Sequence, residues 1–327
     1  MTDSAMAKSE KRYDNSSMSA LLVQGAAPEM LMISVATVAG GTAAATLRGN
    51  LEVFPATLCL VFALLTQISA TYWHFYLKAR SYHNSNDMVD AEFARLPKTS
   101  VLRESALGVG ILAVTVALAL MAMDGIWTLV VGSVLAVVLF FTFGGRRPLS
   151  DSHWGILSTF LLFGPIGVIG TCLLQSCHEA GSLFNFYDIE PALYISAVMG
   201  LMAVNCGLLY GVAHIEVDGV MEKKTIPSLF GIRITRVLFV ADGFLWTALC
   251  AWLCQVQHLE EWYFYMILPV AVLVSNCMIA ARLSVGDRRG LRRLQLYANL
   301  NMLVMALAML VVSLFVGAAD DSYMCFI

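Results

Sequence analysis

Charged side chains are scarce in this sequence. Only 13% of its 327 residues are Asp, Glu, Lys or Arg, where a soluble domain carries about 25%, and the mean hydropathy is +0.74. That shortage excludes an ordinary water-soluble domain. Alternation of period two is missing from the apolar runs, which excludes the strands of a membrane barrel. The eight cysteines include no Cys-x-x-Cys pair, and most (Cys59, Cys206, Cys250, Cys254, Cys277) sit inside apolar runs. Thiols there behave as small apolar side chains, so neither a metal site nor a disulfide framework is indicated. Cys172 and Cys177, near the end of one run, are the only pair placed so that bonding is worth considering. The sequence also has no low-complexity tract, no repeat and no second domain.

Long apolar runs fill the sequence instead, each near the ~20 residues that a helix needs to cross a bilayer. Nine are expected to be transmembrane helices: about 21–46, 55–77, 101–122, 126–143, 154–175, 190–213, 232–256, 262–283 and 295–317. A helix satisfies its backbone internally, so the expected fold class is an all-α polytopic membrane bundle. The first run follows a polar leader without a small-residue cleavage site, which marks a retained span rather than a signal peptide. Residues 1–18 are expected to be a disordered cytoplasmic leader, and residues 19–327 a single transmembrane domain.

Orientation follows from the basic residues. Nineteen of the 20 Lys and Arg residues fall at the N-terminus or in the breaks after the second, fourth, sixth and eighth runs. Arg48 alone falls on the other side, where Glu179, Asp188, Glu260, Glu261 and Asp320 collect. The positive-inside rule then puts the N-terminus in the cytoplasm and the C-terminus outside, in the cytoplasmic (inner) membrane. Basic stretches such as GDRRGLRRLQ are thereby explained as topology signals or lipid-headgroup contacts. No nucleic-acid partner is expected.

The breaks after the second and sixth runs are the longest and most polar. A charged loop beside an apolar bundle suits an amphiphile with an anionic head and an apolar tail. In the first break SNDMVDAE (Ser85–Glu92) puts Asp87 and Asp90 three apart, on one helix face where they could share a cation. In the second, His214 and Asp218 stand one helical turn apart, with Glu216 between them and Lys223 and Lys224 beyond. They read either as a head-group site or as a capping cluster at a helix end. His74, among Tyr72, Trp73, Phe75 and Tyr76, reads either as a wall of a ring-binding slot or as part of an interfacial aromatic belt. Arg80, Arg95 and Lys98 are placed to steer an anion, although topology alone accounts for them.

Three stretches carry more. Leu65–Lys78 reads LTQISATYWHFYLK, Phe141–Gln175 reads FTFGGRRPLSDSHWGILSTFLLFGPIGVIGTCLLQ, and His214–Gly231 reads HIEVDGVMEKKTIPSLFG. In this order they resemble motifs of UbiA-type intramembrane prenyltransferases, and most closely the branch that prenylates 1,4-dihydroxy-2-naphthoate in menaquinone biosynthesis. Phe163-Gly164-Pro165, Gly170-Thr171 and Gln175 fall at the family spacing, and the resemblance covers roughly residues 20–315. It implies a nine-helix bundle in membrane lipid, with a prenyl diphosphate and an aromatic, quinone-like acceptor as substrates. It also implies Mg2+ held between two acidic motifs, where the metal would neutralise the departing pyrophosphate.

This chain departs from those motifs where the metal would sit. The first motif's Asn-Asp falls on His74 and Phe75, and its next Asp on Lys78. The second keeps Asp218, but its first Asp falls on His214 and the preceding Arg on Ala213. The family's central acid falls on Ile156. Imidazole and ammonium are poor Mg2+ partners. Asp218, Glu216, Asp87 and Asp90 are left as metal-ligand candidates, and Lys78 as a direct phosphate contact. Asp87 comes twelve residues after the aligned position, ~18 Å along a continuous helix, so the pair is read as a solvated loop.

The resulting expectation is a UbiA-type homologue with impaired or lost catalysis. Two alternatives stay open. One is a non-catalytic membrane protein that binds an isoprenoid, a quinone or a partner subunit; the other is an active prenyltransferase with its metal on Asp87 and Asp90. A transporter is set aside, for want of a Gly- or Pro-interrupted pair of spans and of a charged residue deep in a span.

Overall fold

The computed structural model describes residues 26–81, 98–124, 126–144, 148–176, 186–256, 265–284 and 288–324. Among them the regular structure is helical, with one isolated parallel bridge between Ser152 and Lys224. In chain order the helices are α1 (Pro28–Thr46), α2 (Val53–Ser81), α3 (Thr99–Asp124), α4 (Ile126–Phe143), α5 (Gly155–Leu161), a π-helix (Leu162–Ile169), α6 (Gly170–Ser176), α7 (Phe186–Ala213), α8 (Ile215–Val220), α9 (Ile226–Val256), α10 (Ile267–Arg282) and α11 (Arg288–Met324). A short 3-10 turn, Leu149–Asp151, precedes α5.

Among the described residues seven helical stretches are long and apolar enough to cross a membrane, and two apolar helices, Thr128–Phe143 and Ile267–Arg282, are shorter. Together they fall on the nine runs read from the sequence. Large apolar side chains face outward around the bundle: Ile111, Phe140, Val237 and Phe315 are between 67% and 75% exposed. Such a belt belongs in hydrocarbon.

The innermost helices are α1 and α7, most of whose residues are buried. Helices in lipid gain nothing from hiding apolar surface from water, so they associate through close packing of small residues. The sequence of α1 provides them: Ala36, Ala39, Ala43, Ala44 and Ala45 are buried beside Gly40 and Gly41. A Cβ at Gly41 would stand 2.6 Å from the Thr171 Cβ and 2.7 Å from the Val168 carbonyl oxygen. At Gly164 it would stand 2.5 Å from the carbonyl oxygen of Ser196 on α7. Backbone therefore meets backbone where α1, α7 and the α5–α6 span touch.

The α5–α6 span is pinned to α1 at two levels. The Thr37 hydroxyl donates to the Ile33 carbonyl at 2.9 Å and also lies 3.2 Å from the carbonyl of Phe163. Further along, Gln175 Nε2 donates to Thr42 Oγ1 at 3.1 Å. Between these ties the helix widens to π geometry around Pro165, whose ring nitrogen has no hydrogen to donate.

That widening corrects the expectation that no span is interrupted. A second interruption lies in α9, where Gly231 adopts φ 73° and ψ 176°, a conformation that only glycine enters readily. The expected run at 232–256 therefore begins earlier, at Ile226, on the far side of a kink. Of the cysteines, Cys172 is buried in the main core, while Cys177 lies outside the described residues, as do residues 1–18.

Candidate functional site

A cavity of about 680 Å³ opens between α1, α2, α4, the α5–α6 span and α7, within the size range of small-molecule sites. Most of its length is apolar, with Val38, Phe62, Leu135, Ile166 and Leu174 on its walls. One end is polar. There His74 and Lys78 come from α2, His214 from the α7–α8 junction, Asp218 from α8, and Lys223 from the turn before α9.

Local sequence explains how each reaches that end. His74 and Lys78 are four apart on one face of α2, so both side chains point the same way. Helix α7 ends at Ala213; the next residue, His214, leaves the helical region with φ −110° and ψ 7°, and α8 starts anew. His214 Nδ1 lies 2.9 Å from the Tyr210 carbonyl; a carbonyl only accepts, so this nitrogen carries the hydrogen. The two rings lie 4.1 Å apart between centroids. His214 also bonds into α8 through its carbonyl, which accepts from the Asp218 N–H at 2.8 Å.

After α8 the chain reverses through Glu222, at φ 54°. The Lys223 N–H then donates to the Asp218 carbonyl at 2.9 Å. The Thr225 hydroxyl lies 3.2 Å from Asp218 Oδ2, and the Ser228 hydroxyl donates to the Lys223 carbonyl at 2.9 Å. Against this turn packs the one leading into α5. Its Asp151 carbonyl accepts from the Lys224 N–H at 2.9 Å, and its Asp151 carboxylate forms an ion pair with the Lys223 ammonium.

Lys223 is the most perturbed charge at this end. Its side chain is only 6% exposed. Burial, and then the neighbouring Lys78 ammonium, push its pKa down to about 8, against the pull of Asp151 and Asp218. His74 lies within electrostatic reach of Lys78, Lys223 and His214. The Lys78 and Lys223 ammonium groups, the His74 and His214 imidazoles and the Asp218 carboxylate thus line one cavity, together with Glu29 and Arg292, and Asp151 joins them through Lys223. Such a group of charges suits an anionic head far better than a neutral one.

The structure sorts the residues singled out from the sequence. His74, Lys78, His214, Asp218 and Lys223 converge on the cavity. Glu216 does not line it; it is two residues from Asp218 on α8, a spacing at which helix side chains do not share a face. Asp87, Asp90 and Arg95 lie outside the described residues. The aromatic slot shrinks to His74 and Phe75, joined by Phe143, whose ring lies 5.3 Å from that of His74. Tyr72, Trp73 and Tyr76 pack instead against Leu102 and Ala106 of α3. Arg80 is exposed and donates to the Tyr76 hydroxyl at 3.3 Å, and neither it nor Lys98 lines the cavity.

Sequence reasoning missed two acids. Asp151 enters the head group only because its turn packs across the chain onto Lys223 and Lys224; its one local signal is an acid just after Pro148, five residues before the aligned Ile156. Asp242 corrects the reading that no charged residue lies deep in a span. It sits in the middle of α9, within electrostatic reach of Cys206 on α7, and its Oδ2 has no hydrogen-bond partner among the described residues. It does not line the cavity.

Whether Mg2+ suits the head can be judged from its donors. Among the described residues no group of three His, Cys, Asp or Glu is placed to hold a metal ion. Asp151 is engaged by the Lys223 ammonium and Asp218 by the Thr225 hydroxyl, and Glu29 is the remaining carboxylate among the described residues that line the cavity. An ammonium at the centre of the carboxylates repels a divalent ion. The described residues do not fit the metal.

A membrane-embedded helical bundle with an amphiphile-shaped cavity, charged at one end and apolar along the rest, defines the class of protein. Its fold is that of a UbiA homolog from Aeropyrum pernix K1, with a TM-score of 0.65 at 15% identity over 90% of this chain and 98% of that one. A digeranylgeranylglyceryl phosphate synthase structure superposes with a TM-score of 0.55 at 12% identity, over 89% of this chain and 99% of the other. No family model matches the chain. The 1,4-dihydroxy-2-naphthoate octaprenyltransferase of Mycobacterium leprae is 30% identical over 231 residues, 67% of this chain and 72% of the relative. Its Mycobacterium tuberculosis counterpart is 24% identical over 226 residues, 66% and 72% of the two chains. The chain belongs to the UbiA-type intramembrane prenyltransferase family.

Proposed function

We propose that this chain binds a prenyl diphosphate in its cavity and that its magnesium-dependent prenyl transfer is impaired or lost. The observation that carries the reading is a cavity whose charged head, built around Lys78 and Lys223, continues into an apolar slot. The prenyl tail fits along Val38, Phe62, Leu135, Ile166 and Leu174, which would keep water from the allylic carbon. The diphosphate would meet the two ammonium groups. An aromatic acceptor of the 1,4-dihydroxy-2-naphthoate kind, suggested by the names of the relatives, would stack beside His74, Phe75 and Phe143. The distribution of Lys and Arg supports a cytoplasmic position for the head.

Transfer requires the pyrophosphate to leave as the allylic carbon gains positive charge, so catalysis rests on how much positive charge the head can offer the departing group. Lys78 and Lys223 offer two unit charges, partly cancelled by Asp151 and Asp218. That suffices to bind and orient a diphosphate but stabilises its departure far less than divalent ions do.

The test is prenyl transfer by the purified full-length protein in nanodiscs, given a polyprenyl diphosphate and 1,4-dihydroxy-2-naphthoate, with and without magnesium. Saturable binding of the diphosphate with turnover absent or far below that of an active relative is the expected result. Fast magnesium-dependent turnover would overturn the loss of catalysis and make Asp87 and Asp90 the leading metal ligands. Binding of a quinone but not of a diphosphate would favour an isoprenoid- or quinone-binding protein instead.

A further inference from the structure

We infer that the seam between α9 and α10 binds an anionic phospholipid, whose headgroup phosphate is held by Arg233, Arg236 and Arg282. Arg236 carries the argument. Its guanidinium reaches across the seam and donates through Nη2 to the carbonyl of Leu283, just past the end of α10. Its Nε–H is buried without a partner, and among the described residues no carboxylate pairs with it. A guanidinium cannot shed its charge, so a half-buried one without a carboxylate calls for an anion from outside the chain. Two more arginines stand beside it. Arg233 is three residues earlier on α9, a spacing that makes helix side chains neighbours, and Arg282 immediately precedes Leu283; both are exposed.

The backbone favours the same guest. Helix α9 restarts after the kink at Gly231, so Arg233 and Arg236 stand at its positive end, where the helix dipole disfavours them and attracts a phosphate. The surface beyond the arginines identifies that phosphate as part of a lipid. From Arg233 the exposed face of α9 continues through Val237 and Phe244, and from Arg282 that of α10 continues through Met278 and Val274. The two helices pack side by side, so closely that a Cβ on Gly243 would stand 3.0 Å from Leu273 Cδ1. A cationic end leading into two apolar stripes matches a phosphate that carries acyl chains. None of the three arginines lines the cavity, so the site stands apart from the diphosphate reading.

The experiment titrates the full-length protein in detergent with dioleoyl phosphatidylglycerol or dioleoyl phosphatidylcholine, which share their acyl chains, and reads each Kd by native mass spectrometry. The native protein should bind the anionic lipid about tenfold or more tighter than the zwitterionic one. Arg233→Gln and Arg282→Gln should each weaken the anionic lipid about fivefold, the scale of one basic side chain near a charged membrane surface. The double variant should bind the two lipids alike. Arg103→Gln, which removes an exposed arginine near the start of α3, should leave the preference unchanged. Glycerol phosphate at the same concentration should not displace the lipid.

Equal binding of the two lipids by the native protein would overturn the inference, and this comparison needs no variant to fold. A preference that survives the double variant would overturn it too, by placing the lipid elsewhere. A loss in Arg103→Gln as large as in Arg233→Gln would reduce the effect to diffuse surface charge and sink the site. Full displacement by glycerol phosphate would replace the lipid with a soluble phosphate and overturn the acyl-chain part of the claim.

Discussion

Two ion pairs lie toward opposite ends of α7 and do different work. Arg48 and Glu190 meet at 3.5 Å beside the start of the helix, each side chain about 30% exposed. Lys223 and Asp151 meet beyond its end, with the ammonium almost wholly buried. The first pair joins the one basic residue found away from its fellows to an acid at hand, in reach of water, where such pairs contribute little. The second holds a charge where water cannot easily screen it. A buried pair is poor evidence of stabilisation, because desolvation offsets the attraction. Its position inside a cavity, next to Lys78, His74 and His214, points to the anion that the cavity receives.

Breaking the two pairs should separate these roles. The largest effect is expected from Lys223→Ala on diphosphate affinity, which should fall about tenfold or more with the loss of one charge-assisted hydrogen bond. Isothermal titration in nanodiscs reads it, and Lys223→Arg should keep most of the affinity. A second variant loads the packing instead of the charge. Gly164→Ala pushes a Cβ onto the Ser196 carbonyl and should cost about 1–3 kcal/mol, as overpacking does; an unchanged melting temperature would mean that α7 and the π-helix have room to part.

The pH dependence sharpens the contrast further. Lys223 holds its proton only up to about pH 8 in the folded chain, against 10.5 ordinarily. Lys78, Asp151, Asp218 and His74 are within electrostatic reach of it. Above pH 8 diphosphate affinity should fall, by about tenfold per pH unit once the ammonium is mostly neutral. Stability should move the other way. The unfolded chain binds the proton more readily, so stability rises with pH between about 8 and 10.5. Lys223→Arg should remove both slopes in that window, and isothermal titration at several pH values checks the first. The smallest effect belongs to the exposed pair: Arg48→Ala should change stability by about 0–1 kcal/mol and leave diphosphate binding unaltered.

How far this was legible from the sequence depends on the range of each interaction. His74 and Lys78 share a face because they are four apart on one helix, so local spacing placed them together before any fold was known. His214 and Asp218 keep the same spacing and again line the same cavity, although a helix break falls between them. Asp151 was beyond such reasoning, since it reaches Lys223 through a bridge between Ser152 and Lys224 that no periodicity announces. The same holds for the walls: Thr37 meets the Phe163 carbonyl, and Gly41 meets Thr171, only because two distant helices have packed. Asp242 differs from these, because it stood in plain view within an apolar run.

By itself the sequence determined that this chain is a helical membrane bundle of a recognisable family, because scarcity of charge, the length of apolar runs and local motifs are properties of neighbours along the chain. Only the tertiary structure decided what occupies the head of the cavity. The Asp151 and Asp218 carboxylates face an ammonium there because two turns far apart in sequence are brought together, and the energy of a buried charge depends on every group around it in space.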